Sequence, residues 1–319
     1  MRPIWQHPCA TAVGASARAA AVPEPRAHQV LVRVEAVGVR RIDVVPLTGD
    51  VGIWPVSSAG SVSGDVVGQV VAVGAQVTGV RAGCRVVGEA RGGVAEFALI
   101  DSRWLAHVPQ GVDPAPATCL ASNAPTALRM LRKAKVRAGE RVLVLSAAGA
   151  VGHLLVQLSE IAGADTLAVA ATEMQVNFAE MLGARVVADS SQPDWLRTAR
   201  AAAPSGVDVL VDATGAVLDE SVVDLLAADG RLVTCLPAYG RAASFPRLVG
   251  CQTSVRVSLA QWRSGHPVGA RAEIREVTRL WRAGTLLSAV YCRLPFTRLR
   301  FAQRIVASGI STGSVVLFP

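Results

Sequence analysis

Residues 141–163 read Arg-Val-Leu-Val-Leu-Ser-Ala-Ala-Gly-Ala-Val-Gly-His-Leu-Leu-Val-Gln-Leu-Ser-Glu-Ile-Ala-Gly. The apolar run from Val142 to Leu145 predicts a buried parallel strand. The chain then breaks into small residues, Ala147, Gly149 and Gly152. A helix follows, with Val151, Leu154, Leu155, Leu158 and Ile161 on one face and Gly163 as its stop signal. Strand, tight turn and helix together make a pyrophosphate cradle, Ala147, Gly149, Ala150, Val151 and Gly152. Gly149 admits the phosphate close to the backbone, and Gly152 admits the helix close to the strand. The helix N-terminus offers free N–H groups and the positive end of its dipole. The usual fingerprint has three glycines, and Ala147 stands at the first.

The rest of the chain has two textures. Residues 29–100 are rich in Val and Gly and read as short strands with glycine turns, among them Val30 to Glu35, Val66 to Val73 and Arg85 to Val87. A proline-rich link runs from Pro109 to Pro116. Beyond about residue 119, strands at 141–146, 165–170, 185–188, 207–212 and 231–235 alternate with helices at 150–162, 173–182, 192–203 and 217–228. That alternation predicts βαβ units around a doubly wound parallel sheet, an α/β fold. The tail carries helices at 270–282 and 299–308 and a last strand at 314–317.

Bulk composition narrows the function classes. The chain has 319 residues, enough for two domains, and 51% are hydrophobic, enough for large cores. The net charge of +8 comes without a basic block or interleaved aromatic platform, so no nucleic-acid partner is expected. Six scattered cysteines with no CxxC pair fit reduced thiols and a cytoplasmic protein. The N-terminus lacks the apolar core of a signal peptide. The uncharged stretch 142–159 reads as strand plus helix, so no membrane partner is expected.

Several motifs fall in order along the chain: Val37-Gly38-Val39 through Asp43, Gly68 to Gly74 with Gly79 and Gly83, Ala147 to Gly152, Leu182-Gly183-Ala184, Asp208 to Gly215, Gly230 to Val233, and Gly313 to Leu317. Together they resemble the medium-chain dehydrogenase/reductase superfamily, in its zinc-free quinone oxidoreductase (zeta-crystallin-like) and enoyl reductase branch. The resemblance implies a GroES-like catalytic domain (residues 1–119, completed by 267–319) and a Rossmann dinucleotide-binding domain (120–266). It also implies a nicotinamide cofactor, a small-molecule substrate, and a homodimer.

No metal is expected. The zinc branches place a Cys where this chain has Arg40, and a His-Glu pair where it has Gly64-Asp65. Arginine has no lone pair to offer a cation. No carboxylate stands at the tip of the second Rossmann strand, Val169-Ala170-Ala171-Thr172, which tilts the cofactor to NADPH and leaves NADH open. Related NADPH enzymes supply a lysine where this chain has Gln175. Thr172, Gln175 and Asn177 are the candidate phosphate contacts, and Thr172 reads equally as a helix cap.

The resemblance implies hydride transfer to a quinone or an activated C=C bond, with the enolate stabilised by the protein. The usual proton donors are missing, with Val45 and Val51 near the positions where relatives have tyrosines. Arg40 is a candidate for stabilising the enolate or binding an anionic group, or else faces solvent beside Arg41. Asn123 stands where relatives often have a Thr near the nicotinamide amide, and reads equally as a helix cap. Cys235 and Tyr239, at and after the end of the fifth Rossmann strand, fall where loops face the ligand crevice. The lost donors also allow a protein of the same fold that binds nucleotide without net redox chemistry, as a cyclase-like or isomerising enzyme or a nucleotide sensor.

Overall fold

The structure, a computed structural model, describes residues 4–6, 18–40, 64–90, 93–214, 218–235 and 247–319. It begins with a small antiparallel pair, β1 (Ile4–Gln6) and β2 (Arg18–Ala20). Four antiparallel strands follow: β3 (Gln29–Val39), β4 (Gly64–Val73), β5 (Arg85–Ala90) and β6 (Phe97–Asp101), with the short β7 (Ala106–His107) paired to β5. The first half of β3 pairs with β6 and its whole length with β4, which curls the sheet on itself. Leu31 is buried as well as Val30 and Val32, so both faces of this part of β3 are covered.

Two helices, α1 (Pro114–Ala117) and α2 (Asn123–Ala134), lead into the second sheet. There β8 (Arg141–Leu145), α3 (Gly152–Ile161), β9 (Asp165–Ala170), α4 (Glu173–Met181), β10 (Val186–Asp189), α5 (Trp195–Ala202) and β11 (Val207–Asp212) alternate as expected. After them come α6 (Glu220–Val223), β12 (Leu226–Cys235) and β13 (Thr253–Val257). The strand order is β10-β9-β8-β11-β12-β13, and every pair is parallel. In chain order this is 3-2-1-4-5-6, the Rossmann arrangement, whose ligand crevice lies outside the carboxyl ends of the strands where the order reverses.

The helix expected over 217–228 shrinks to α6. Leu225 and Leu226 are buried, and Leu226 pairs with Val207 across the sheet. Strand pairing takes these apolar residues before a further helical turn can. Ile161, expected on the buried face of α3, is 46% exposed, because packing on that helix ends with Ser159.

The chain then forms α7 (Leu259–Gly265) and α8 (Pro267–Arg282) and returns to the first sheet through β14 (Val290–Pro295), α9 (Leu299–Ser308) and β15 (Ser314–Phe318). β15 pairs antiparallel with the far end of β3, Leu317 opposite Val37. One hydrophobic core runs between the two sheets and joins Ala36, Val67, Val87 and Val316 to Val144, Leu154, Leu155 and Val211.

The return is also bonded to the Rossmann sheet. Gln157 on α3 donates through Nε2 to His153 O (2.8 Å) and Leu287 O (2.9 Å), and its Oε1 accepts from Leu287 N at 2.8 Å. Gln157 is 7% exposed, so these groups have little water to turn to. We expect Gln157→Ala to cost about 2 kcal/mol and to lower the melting temperature by roughly 5 °C, measured by thermal denaturation. An unchanged melting temperature would show that this junction adds nothing to stability.

Candidate functional site

β8 ends at Leu145, and Ser146 turns the chain with φ +53°. Ala147 N donates to Val169 O at 2.9 Å and Gly149 N to Ser146 O at 3.0 Å, which sets the turn between the two central strands. A Cβ on Gly152 would lie 2.0 Å from Ser146 O and 2.9 Å from Ala147 Cα, so the helix starts here only because this residue has none. A Cβ on Gly149 would meet only Ser146 O, at 3.3 Å. Ala147 is fully buried, while Ala150 and Val151 are half-buried. Among the described residues the N–H groups of Ala150, Val151 and Gly152 have no acceptor. Three adjacent free donors at the start of α3, beside a glycine that leaves space, fit a dinucleotide pyrophosphate.

Behind this loop sits His153, fully buried. Its Nδ1 donates to Gly149 O at 2.9 Å, and its Nε2 accepts from Ala289 N at 3.2 Å, so the ring is neutral with the proton on Nδ1. Burial pushes its pKa down to about 4.

At the tip of β9, Thr172 caps α4, its Oγ1 accepting from Gln175 N at 3.3 Å. Gln175 does not face outward as a phosphate contact. It is 4% exposed, its Oε1 accepts from Ala171 N (3.0 Å), and its Nε2 donates to Gly309 O (2.7 Å) and Ser311 O (3.4 Å). The return of the chain has taken up this carboxamide, a partner too distant in sequence to foresee. Asn177 is exposed, two residues further and so on the other side of α4. Ser190, at the end of β10, donates from Oγ to Ala170 O at 2.9 Å and adds a hydroxyl beside the tip.

The crevice side of the sheet holds Cys235, whose Sγ donates to Ala213 O at 2.9 Å. Burial pushes its thiol up to about 12, so it is not a nucleophile. Asn123 is the first residue of α2 and half-buried, and Ser122 holds the cap position before it. Tyr239 lies outside the described residues, as do Arg41, Val45 and Val51.

Arg40 does not face solvent. Its Nη1 donates to Glu89 Oε1 at 2.7 Å, with the side chain 13% exposed. Glu89 Oε2 accepts from Arg263 Nη1 at 2.8 Å, and Arg263 Nη2 donates to Ala121 O at 2.5 Å. Directly across β4 and β5, Asp65 faces Glu89. Asp65 Oδ2 accepts from Ser122 N (2.8 Å) and Ser122 Oγ (2.5 Å). Burial pushes Glu89 up, but the Arg40 and Arg263 guanidiniums outweigh it and hold its pKa below the usual range. Burial also raises Asp65, to about 6, helped by Glu89 and opposed by Arg40, the Ser122 hydrogen bond and Arg263. Composition gave no sign of this cluster. A carboxylate inside the Val- and Gly-rich strand 64–73 was the one available signal.

A side chain at position 64 is sterically impossible without rearrangement, since its Cβ would lie 2.8 Å from Gly38 O. Among the described residues no three His, Cys, Asp or Glu side chains group as a metal site. No described helix is long and apolar enough to cross a membrane.

The two-sheet architecture and the glycine loop together define a Rossmann-fold nucleotide-binding protein with a GroES-like partner sheet. Family models agree: residues 26–110 match the alcohol dehydrogenase GroES-like domain, and residues 150–279 match the zinc-binding dehydrogenase family. The chain belongs to the medium-chain dehydrogenase/reductase superfamily, in its quinone oxidoreductase and enoyl reductase branch. It is 37% identical over 212 residues to the erythronolide synthase EryA2 of Saccharopolyspora erythraea, covering 65% of this chain and 6% of that protein. It is 30% identical over 217 residues to the quinone oxidoreductase of Sus scrofa, covering 67% of this chain and 66% of the relative. A mycobacterial protein solved as a complex with NADPH superposes with a TM-score of 0.85 at 27% identity, over 99% of this chain and 100% of that one.

His153 makes a pH prediction. Its folded pKa lies below the ordinary 6.5, so between about pH 4 and 6.5 the unfolded chain binds more protons and stability rises with pH. The stability difference between the wild type and His153→Gln should therefore grow over that window and level off above it, in urea unfolding at a series of pH values. A difference independent of pH would show that His153 is not held neutral.

Proposed function

We propose that this protein is a zinc-independent, NADPH-dependent reductase that transfers a hydride to a quinone or to an activated C=C bond of an enone or enoyl thioester. The observation that carries it is the glycine loop, whose free donors at Ala150, Val151 and Gly152 open onto the crevice of an all-parallel 3-2-1-4-5-6 sheet. The tip of β9 ends in Ala171 and Thr172 with no carboxylate to repel a 2′-phosphate, which favours NADPH over NADH. The NADPH complex of the mycobacterial neighbour supports the same choice. The chemistry follows the quinone oxidoreductase relative and the enoyl reductase branch. Arg40 and Gly64 replace the ligand positions of the zinc branches, and an ion pair and a steric block occupy them.

The bound cofactor supplies the hydride. The chain supplies the rest. The start of α3 binds the pyrophosphate, Asn123 and Cys235 line the carboxyl edge of the sheet, and Tyr239, four positions after Cys235 in the sequence, remains a candidate for the nicotinamide side. Arg40 sets the charge of the cleft through its pair with Glu89. Residues 1–119 with 267–319 form the catalytic domain and residues 120–266 the dinucleotide-binding domain. The working form is a cytoplasmic homodimer acting on a small molecule.

Fluorescence titration should show NADPH binding more tightly than NADH, and NADPH oxidation should be driven by quinones or enones. Gly152→Ala should weaken NADPH binding at least about tenfold, since its Cβ forces the loop off Ser146 O. Binding of neither dinucleotide would overturn the assignment, and tight binding without turnover on any acceptor would point to non-redox chemistry.

A further inference from the structure

Arg231, opposite Val209 near the start of β11 and Thr253 at the start of β13, donates to Ala134 O at 2.8 Å, which puts the C-terminus of α2 at the amino ends of these strands. α2 therefore runs antiparallel to the sheet, and its N-terminal residues Ser122 and Asn123 stand at the carboxyl edge, where the crevice opens. Arg263 reaches the same edge from α7, which follows β13. Arg40, just past the end of β3, and Asp65 and Glu89, on β4 and β5, reach it from the other sheet. The cluster thus lies where the two sheets meet over the crevice.

Two carboxylates face each other here on neighbouring strands, Asp65 opposite Glu89. Like charges directly opposite disfavour each other. Glu89 takes both guanidiniums, Arg40 and Arg263. Asp65 takes the Ser122 N–H and hydroxyl on Oδ2, while its Oδ1 is buried without a hydrogen-bond partner among the described residues. The side chain is 1% exposed. A buried carboxylate with one bare oxygen beside a second carboxylate is poorly stabilised, whereas a carboxylic acid there leaves the cluster with one less negative charge.

We propose that Asp65 is the stored acid of this active site and delivers its proton through the Ser122 hydroxyl to the α-carbon of the reduced substrate. This rests on the reductase assignment. Hydride arrives at the β-carbon of the enone or enoyl thioester, and the C=C electron pair moves to give the enolate. The Ser122 O–H proton then goes to the α-carbon while Asp65 Oδ2–H donates to Ser122 Oγ, so the new C–H bond forms as the Asp65 O–H bond breaks. Asp65 is left as carboxylate and regains its proton through the Ser122 hydroxyl, which takes one from water in the crevice once product has left. With both oxygens 2.5 Å apart, the hydrogen bond reverses direction without any heavy atom moving. Among the described residues the charged and titratable groups around Asp65 are Arg40, Glu89, Arg263 and the buried Cys119 thiol, and burial pushes the last up to about 12. Ser122 and Asp65 thereby take the part of the tyrosine that the positions near Val45 and Val51 do not supply.

The test has two arms. In cofactor-free protein, infrared difference spectroscopy should show a protonated-carboxyl stretch that titrates near pH 6 and is absent in Asp65→Asn. With NADPH and an α-methyl enone, wild-type kcat should fall as pH rises through that value, and the product should carry one α-configuration. Asp65→Asn and Ser122→Ala should lower kcat about 100-fold, lose the pH limb and the α-configuration, and bind NADPH within about twofold of wild type by fluorescence. Retention of the pH limb and α-configuration in both variants, or no titrating carboxyl that Asp65→Asn removes, overturns the proposal. If Asp65→Asn fails to fold, the wild-type pH profile and Ser122→Ala decide. Failure of the reductase assignment reads differently, as a wild type that binds no dinucleotide or turns over no acceptor.

Discussion

The hydrogen bond from Gly313 N to Ala148 O, 2.7 Å long, ties the returning chain directly to the glycine loop. Its neighbours repeat the connection. His153 links Gly149 O to Ala289 N, Gln157 holds Leu287 by both of its backbone groups, and Gln175 holds Gly309 and Ser311. Gly313 adopts φ +85°, and a Cβ there would lie 2.4 Å from Ala289 O, so the approach depends on a residue without a side chain. The carbonyls of the loop thus face protein, which leaves its N–H groups for an anion. The nucleotide cradle and the closure of the β-rich sheet by β15 are two sides of one junction.

That junction also explains the polarity of the interior. Most of the core is Val, Ala and Leu, which packs well but carries no directional information. Orientation between the sheets comes from a few buried amides and one imidazole whose donors and acceptors are matched one to one. Such groups are costly when unpaired and specific when paired. His153 and Gln157, one helical turn apart on α3, fix both the loop in front of them and the strand entry behind them.

At the Asp65–Glu89 cluster the matching is incomplete by one oxygen among the described residues. Two guanidiniums neutralise Glu89, and among the described residues Asp65 has Ser122 alone as a hydrogen-bond partner. Strand register forces this arrangement, since Asp65 faces Gly38 on one side and Glu89 on the other. A buried acid next to a cleft is where protein and substrate protons can be exchanged, and the fold holds it there with the same sheets that bind the nucleotide.

Much of the fold was legible in the amino-acid sequence alone, because it is written in local periodicity. The apolar run 142–145, the turn at Gly149 and Gly152 and the helix behind it are all specified within twenty residues. The alternation of strands and helices from 141 to 235 and the absence of a carboxylate at Thr172 are equally local. The tertiary structure decided what depends on distant partners. It gave Gln175 to Gly309, paired Arg40 with Glu89 where the sequence left it open between an anion contact and a solvent-facing residue, and shortened the helix over 217–228 by pairing Leu226 with Val207. It also brought Asp65 to Ser122, 57 residues away. Side-chain charge states and hydrogen-bond partners are properties of neighbours in space, and a linear pattern records only neighbours along the chain.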